Sequence, residues 1–292
     1  MTEEVIPAVP AEEPVPAAPA EEPSRINRAF AGVGVAVGLI IWATVFPLPL
    51  AIPGWVVMKS HPRIGMFLGF LGLLLVVPGM LWKAKSVWGA DWRKALPLGR
   101  AGAGILVWTW LCILAYIPVA LVWYEFAHRI LGLPEPLDPT SMGVLALVLG
   151  APLSEEFLFR GYGLARIREL AGDRRALVYT AVIFALVHGS LTKLPDVFIG
   201  GLFLGWLVLR TGSLWPPLLA HFTVNATGYL QDLAFAEFHW GPPPLPWTWV
   251  IVPGLVGAVV LGILWSPQVR GRIKELAPRP GGGNPETMES QA

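Results

Sequence analysis

The stretch "LGAPLSEEFLFRGYG", Leu149 to Gly163, decides what kind of chain this is. It sets two adjacent carboxylates and a guanidinium, Glu155, Glu156 and Arg160, inside a run of Leu, Phe, Ala and Gly. Each apolar neighbour from Val144 to Phe159 favours membrane insertion by about 0.3–0.6 kcal/mol, whereas one ionised side chain at mid-depth costs about 2.5–3.5 kcal/mol. Three charges cancel the gain. Such a helix is stable in a bilayer only if its polar face turns into a bundle or a water-filled cavity.

A bilayer is the solvent that the rest of the chain demands. Only 14% of the residues are charged, against roughly 25% in soluble domains, and mean hydropathy is +0.60. Long apolar runs such as "IGMFLGFLGLLLVV" and "WVIVPGLVGAVVLGILW" fit membrane-spanning helices. The fold class expected is an all-α polytopic membrane protein, about eight transmembrane helices around an intramembrane active-site cavity. The spans expected are about residues 29–50, 64–82, 102–124, 141–160, 176–190, 197–210, 214–230 and 248–265. Lone Cys112, inside one run, cannot form an intrachain disulfide and reads as a small buried hydrophobe.

The organisation expected is a Pro/Ala/Glu-rich disordered tail over 1–25, N-terminal transmembrane helices over 26–135, and a core carrying the polar residues over 136–232. An outer loop and last helix follow over 233–265, then a disordered tail over 266–292. The first tail, "EEVIPAVPAEEPVPAAPAEEPS", lacks the basic and apolar regions of a signal peptide. Only Lys59, Arg63, Arg129 and Lys193 fall in the loops of one side. The other cations, Arg160 apart, fall on the opposite side, which places both termini in the cytoplasm.

Glu156 and Arg160 are four apart in acid-before-base order, so they read as an ion pair, with Arg160 able to lock the carboxylate bidentately. Glu155 is rotated about 100° away and has Ala151 and Phe159 at i−4 and i+4. Its partner must come from another helix. "FALVHG" offers Phe184 and His188 one turn apart, and "AHFTVNATGY" offers His221 and Asn225 on one face. At 1.5 Å per residue, His221 and Asn225 lie about 10–17 Å deep and His188 about 18 Å deep. If the fourth helix runs on past Arg160 towards "ARIREL", Glu155 reaches a similar level, and Glu155, His188, His221 and Asn225 can share a pocket. Each histidine alone serves helix packing as readily as chemistry. Together the four suit hydrolysis: Glu155 as general base, His221 and Asn225 as oxyanion donors, His188 orienting water.

These residues resemble the three motifs of the CPBP family of CAAX proteases and bacteriocin-processing enzymes. EExxxR corresponds to Glu155–Arg160, FxxxH to Phe184–His188, and HxxxN/D to His221–Asn225. The resemblance implies an eight-helix intramembrane endopeptidase, with Glu155 activating water, His188, His221 and Asn225 catalytic, and Glu156, Arg160 and Phe184 supporting. No cofactor is favoured, because Asn225 is a poor zinc ligand. The alternative is a metalloprotease with zinc on Glu155, His188 and His221.

The partners implied are membrane lipids and a membrane-anchored protein or peptide substrate, entering by its C-terminal region, either a CAAX-type end or a sorting helix. No nucleic acid is expected. The Ala-, Pro-, Gly-, Trp- and Arg-rich usage reads as GC-rich bacterial coding, hence a bacterial inner membrane. A catalytically inactive scaffold or immunity protein is the first rival. An ion-coupled transporter is the second, and the absence of an internal repeat speaks against it.

Overall fold

The computed structural model describes residues 25–133, 145–237, 247–269 and 271. Residues 1–24 of the tail expected over 1–25, the first residues of the fourth span, His239, and residues 270 and 272–292 of the tail expected over 266–292 lie outside the described residues. The described residues are helical, and their one β-bridge joins Leu98 to Ser213.

The N-terminal half contributes α1 (Arg25–Val45), α2 (Leu48–Met58), α3 (Pro62–Leu74), α4 (Val76–Trp88), the short α5 (Trp92–Ala95) and the long α6 (Ala103–Arg129). A rod follows that changes pitch three times: π-helical Leu145–Gly150, α7 (Ala151–Glu155), π-helical Glu156–Gly163 and α8 (Leu164–Ala171). Then come α9 (Asp173–Val187), α10 (Leu194–Thr211), α11 (Trp215–Glu237) and α12 (Trp247–Leu264). π-Helical turns are rare and cluster at functional sites. Here they occupy the stretch that carries the paired glutamates.

Four described segments are long and apolar enough to cross a membrane: Ala31–Met58, Pro62–Ala95, Ala103–Arg129 and Leu194–Thr211. Four is fewer than the eight expected. The rod and α11 carry the polar site residues, α9 has 15 residues, and the apolar part of α12, Val250–Leu264, is short. Helices that enclose a polar site lose the apolar length by which a span is recognised.

Local chemistry sets the ends of the site-bearing helices. α10 opens with Pro195 and Asp196 in its first turn and closes with Arg210 in its last, matching the helix dipole. Gly212, at φ +62°, supplies the left-handed residue that ends it. The hydroxyl oxygen of Ser213 then accepts from the Trp215 N–H at 3.2 Å, fixing the start of α11 and so the level of His221. Within a membrane, small residues let helices approach. Gly201 does this for α10: a Cβ there would stand 3.1 Å from Ala181 Cα and Cβ on α9. The main core gathers Leu158, Phe159, Leu164, Ile167, Phe184 and Leu218 around the rod, so the polar stretch runs through the middle of the protein. Cys112 is buried with a free thiol, as expected of a small hydrophobe.

Candidate active site

The rod, α9 and α11 bring the motif residues together. His221, buried on α11, presents one edge of its ring to each glutamate. Nδ1 lies 2.8 Å from Oε1 of Glu156, and Nε2 lies 3.7 Å from Oε2 of Glu155. Adjacent carboxylates about 100° apart on one helix can straddle an imidazole because its nitrogens point to opposite edges. A carboxylate accepts, so Nδ1 donates to Glu156, and Nε2 is the nitrogen that faces Glu155.

The ion pair expected of Glu156 and Arg160 is present, with a further partner. Oε1 of Glu156 does accept from Nη1 of Arg160 at 3.2 Å, but the pair is not the self-contained lock that spacing suggests, since the same oxygen holds His221. Nor is the pairing bidentate. Nη2 of Arg160 reaches instead to the carbonyl of Gly201 at 3.5 Å, and the guanidinium lies 3.9 Å from the ring centroid of Phe184. Glu156 and Arg160 are 0% and 1% exposed. Arg160 thus ties the rod to α9 and α10 while Glu156 ties it to α11. Phe184 packs edge-on against His188 and His221, with ring centroids 4.8 and 5.9 Å away.

His188 follows the end of α9. Its Nδ1 lies 2.7 Å from the carbonyl oxygen of Phe184, an acceptor, so that nitrogen donates and Nε2 is left for another partner. Asn225, one turn beyond His221, donates through Nδ2 to Leu147 O at 2.8 Å, in the first π-helical segment. That bond uses one N–H of the amide and leaves the second for another acceptor. Oε2 of Glu155 and Oε2 of Glu156 are buried and make no hydrogen bond. Buried oxygens without partners are exceptional and mark strain, catalysis or a bound molecule.

Two cavities meet here. The larger, about 280 Å³, is walled by His188, His221 and Asn225 together with apolar residues such as Ile113, Phe203 and Leu261. The smaller, about 150 Å³, is walled by Glu155, Ser154, Thr44 and Pro47 and shares His188 with the first. Sequence reasoning missed a second polar cluster in the large cavity. Asp196 accepts from Tyr124 Oη at 2.6 Å through one oxygen and from Tyr116 Oη through the other. Asp196 sits in a first helical turn and reads as a dipole partner, while the tyrosines lie more than two turns apart on α6. No local spacing signals their convergence.

Among the described residues no three His, Cys, Asp or Glu side chains gather as a metal ion requires.

No curated protein and no solved structure is matched by this chain. One family model is matched, described as type II CAAX prenyl endopeptidase Rce1-like, over residues 138–227. That interval contains all three motifs and every residue of the glutamate–histidine–asparagine cluster. It supports a protease of the intramembrane endopeptidase kind in an integral membrane protein. Residues 138–227 of this chain therefore match the Rce1-like type II CAAX prenyl endopeptidase model, in agreement with the CPBP family that the three motifs resemble.

Proposed function

We propose that this protein hydrolyses a peptide bond of a membrane-anchored protein or peptide with a water activated by Glu155 and without a metal. The observation that carries this reading is the pair of carboxylates on His221. Glu156 fixes the proton on Nδ1, so Nε2 faces Oε2 of Glu155 at 3.7 Å. Two acceptors in that position need a proton between them, and general-base catalysis supplies one.

The steps follow from the donors in place. Glu155 takes a proton from water as the oxygen attacks the scissile carbonyl, a contribution typically worth about 10²–10⁴-fold. The second N–H of Asn225 donates to the oxyanion; losing such a donor costs about 2.7–4 kcal/mol of transition-state stabilisation. His188, its Nδ1–H held by Phe184 O, offers Nε2 to orient the water. The proton held between Glu155 and His221 Nε2 then passes to the leaving amine as the C–N bond breaks. Arg160 and Glu156 take no proton in this sequence; they hold His221 in the required tautomer.

A CAAX-type C-terminal end or a C-terminal sorting helix fits a large cavity with apolar walls and catalytic donors on one side. We place the protein in a bacterial inner membrane on its residue usage, with both termini cytoplasmic on the distribution of cations between loops. The test is mass spectrometry of products from purified protein in detergent, offered prenylated and unprenylated membrane-anchored peptides with a strong chelator present. Cleavage of a C-terminal fragment despite the chelator is expected. Activity abolished by the chelator and restored by zinc contradicts the metal-free mechanism, and no cleavage of any anchored peptide contradicts the protease.

A further inference from the structure

The catalytic groups are divided between the cavities. Glu155, the base, lines only the smaller one; His221 and Asn225, the groups for the carbonyl, line only the larger; His188 lines both. We infer that the smaller cavity, between the α1–α2 junction and α7, is a water chamber that supplies the nucleophile, while the substrate occupies the larger one. The inference rests on the proposed hydrolysis and adds where its second reactant is held.

Three observations favour water as the occupant. The volume, about 150 Å³, holds several waters. The walls supply acceptors for water protons: the hydroxyls of Ser154 and Thr44 donate to Ala151 O and Ile40 O at 2.9 and 2.8 Å, which leaves their oxygen lone pairs free, and Glu155 adds a carboxylate. The third lies in the backbone. α1 and α2 form one apolar segment, Ala31–Met58, broken by a turn at Phe46–Pro47, and Pro47 lines the chamber. Non-helical backbone at membrane depth is tolerated where it is buried in protein or faces a water-filled cavity. The Pro47 carbonyl accepts from the Leu50 and Ala51 N–H groups at 3.2 and 2.9 Å, at the edge of the chamber. Ile113, Phe203 and Leu261 around the larger cavity suit an apolar substrate instead.

The two assignments separate in kinetics. Ala43 lines the chamber and is not itself one of the catalytic groups, so Ala43→Leu takes up the chamber's space without removing any of them. In full-length protein cleaving an anchored peptide, Ala43→Leu is expected to lower kcat by about tenfold or more with KM within about twofold. Ile113→Trp, in the larger cavity, is expected to raise KM instead. Should Ala43→Leu fail to fold, Thr44→Leu at the exposed side of the same wall carries the same expectation. Hydroxyl-radical footprinting gives a readout independent of turnover. Leu158, only 1% exposed but in the chamber wall, is expected to be oxidised in the wild type and protected in Ala43→Leu. A raised KM with unchanged kcat in Ala43→Leu, kinetics identical to wild type, or an unlabelled Leu158 overturns the chamber while leaving the protease intact. A wild type that cleaves nothing overturns the hydrolysis itself, and the chamber with it.

Discussion

His221 donates through Nδ1 to Oε1 of Glu156 at 2.8 Å, and that single bond decides which nitrogen of the ring faces Glu155. The oxygen it uses is the one that also accepts from Arg160, so the charge of the guanidinium and the tautomer of the imidazole are coupled through one atom.

Glu156→Gln should therefore impair catalysis without emptying the site. The amide can still accept from Nδ1, but it can also turn its NH₂ towards the ring and leave the wrong tautomer. A loss in kcat of about 10²-fold or more is expected, by analogy with carboxylates that orient a catalytic histidine. ¹⁵N chemical shifts of His221 check the cause: a mixture of tautomers in the variant supports it, and a single unchanged tautomer with lost activity contradicts it.

Arg160→Ala should act on stability first. It leaves Glu156 as a buried charge facing only His221, and breaking one side of a buried pair costs about 3–5 kcal/mol. Arg160→Lys should recover only part of that loss, because one ammonium cannot reach Glu156 and Gly201 O while stacking on Phe184. Thermal unfolding in detergent reads both. A Tm for Arg160→Lys equal to wild type contradicts the three-way tie.

Asp196 joins α10 to α6 through Tyr116 and Tyr124, at opposite oxygens of one carboxylate. Tyr116→Phe and Tyr124→Phe should each destabilise by about 1–3 kcal/mol, since each leaves a lone pair of the carboxylate unpaired. With Asp196→Asn as the third corner, double-mutant cycles should show clear non-additivity. Additive losses would mean that the phenols act separately.

A surface contact gives a pH prediction. Burial alone would raise the Glu169 carboxyl, but hydrogen bonds from Arg166 and the Trp88 indole outweigh it and hold the group below the usual carboxylate range. A lowered folded value means that the contact is fully present above the ordinary glutamate value, about 4.3, and is lost as pH falls through the lowered one. The indole ¹⁵N–H resonance of Trp88 should hold its position down to about pH 4.3 and move only below it. Movement beginning above pH 5 contradicts the assignment. Exposure of Glu169 keeps the stability at stake small.

The polar cluster was legible because three motifs of fixed spacing fall in apolar surroundings where a stray Glu or His is costly. Helical spacing also identified His221 and Asn225 as one turn apart, and the structure places both on the wall of one cavity. What spacing concealed was the pitch of the rod. Spacing at 3.6 residues per turn pairs Glu156 with Arg160, and that pair forms, but spacing does not report that Glu156 opens a π-helical segment and shares its oxygen with a ring 65 residues away. The Tyr116–Asp196–Tyr124 junction was hidden for a related reason: nothing in the local sequence reports which face of α6 meets α10. Four of the eight expected spans are apolar and long enough to be recognised among the described residues, because the helices around the site carry polar residues or are short.

The central claim is that Glu155 is the base and Glu156 its neighbour's anchor. Single-turnover cleavage of a membrane-anchored peptide by Glu155→Gln, compared with wild type at matched thermal stability, tests it most directly. The account predicts a fall of about 10²–10⁴-fold in the cleavage rate with substrate binding retained. A Glu155→Gln protein that cleaves at the wild-type rate would contradict it.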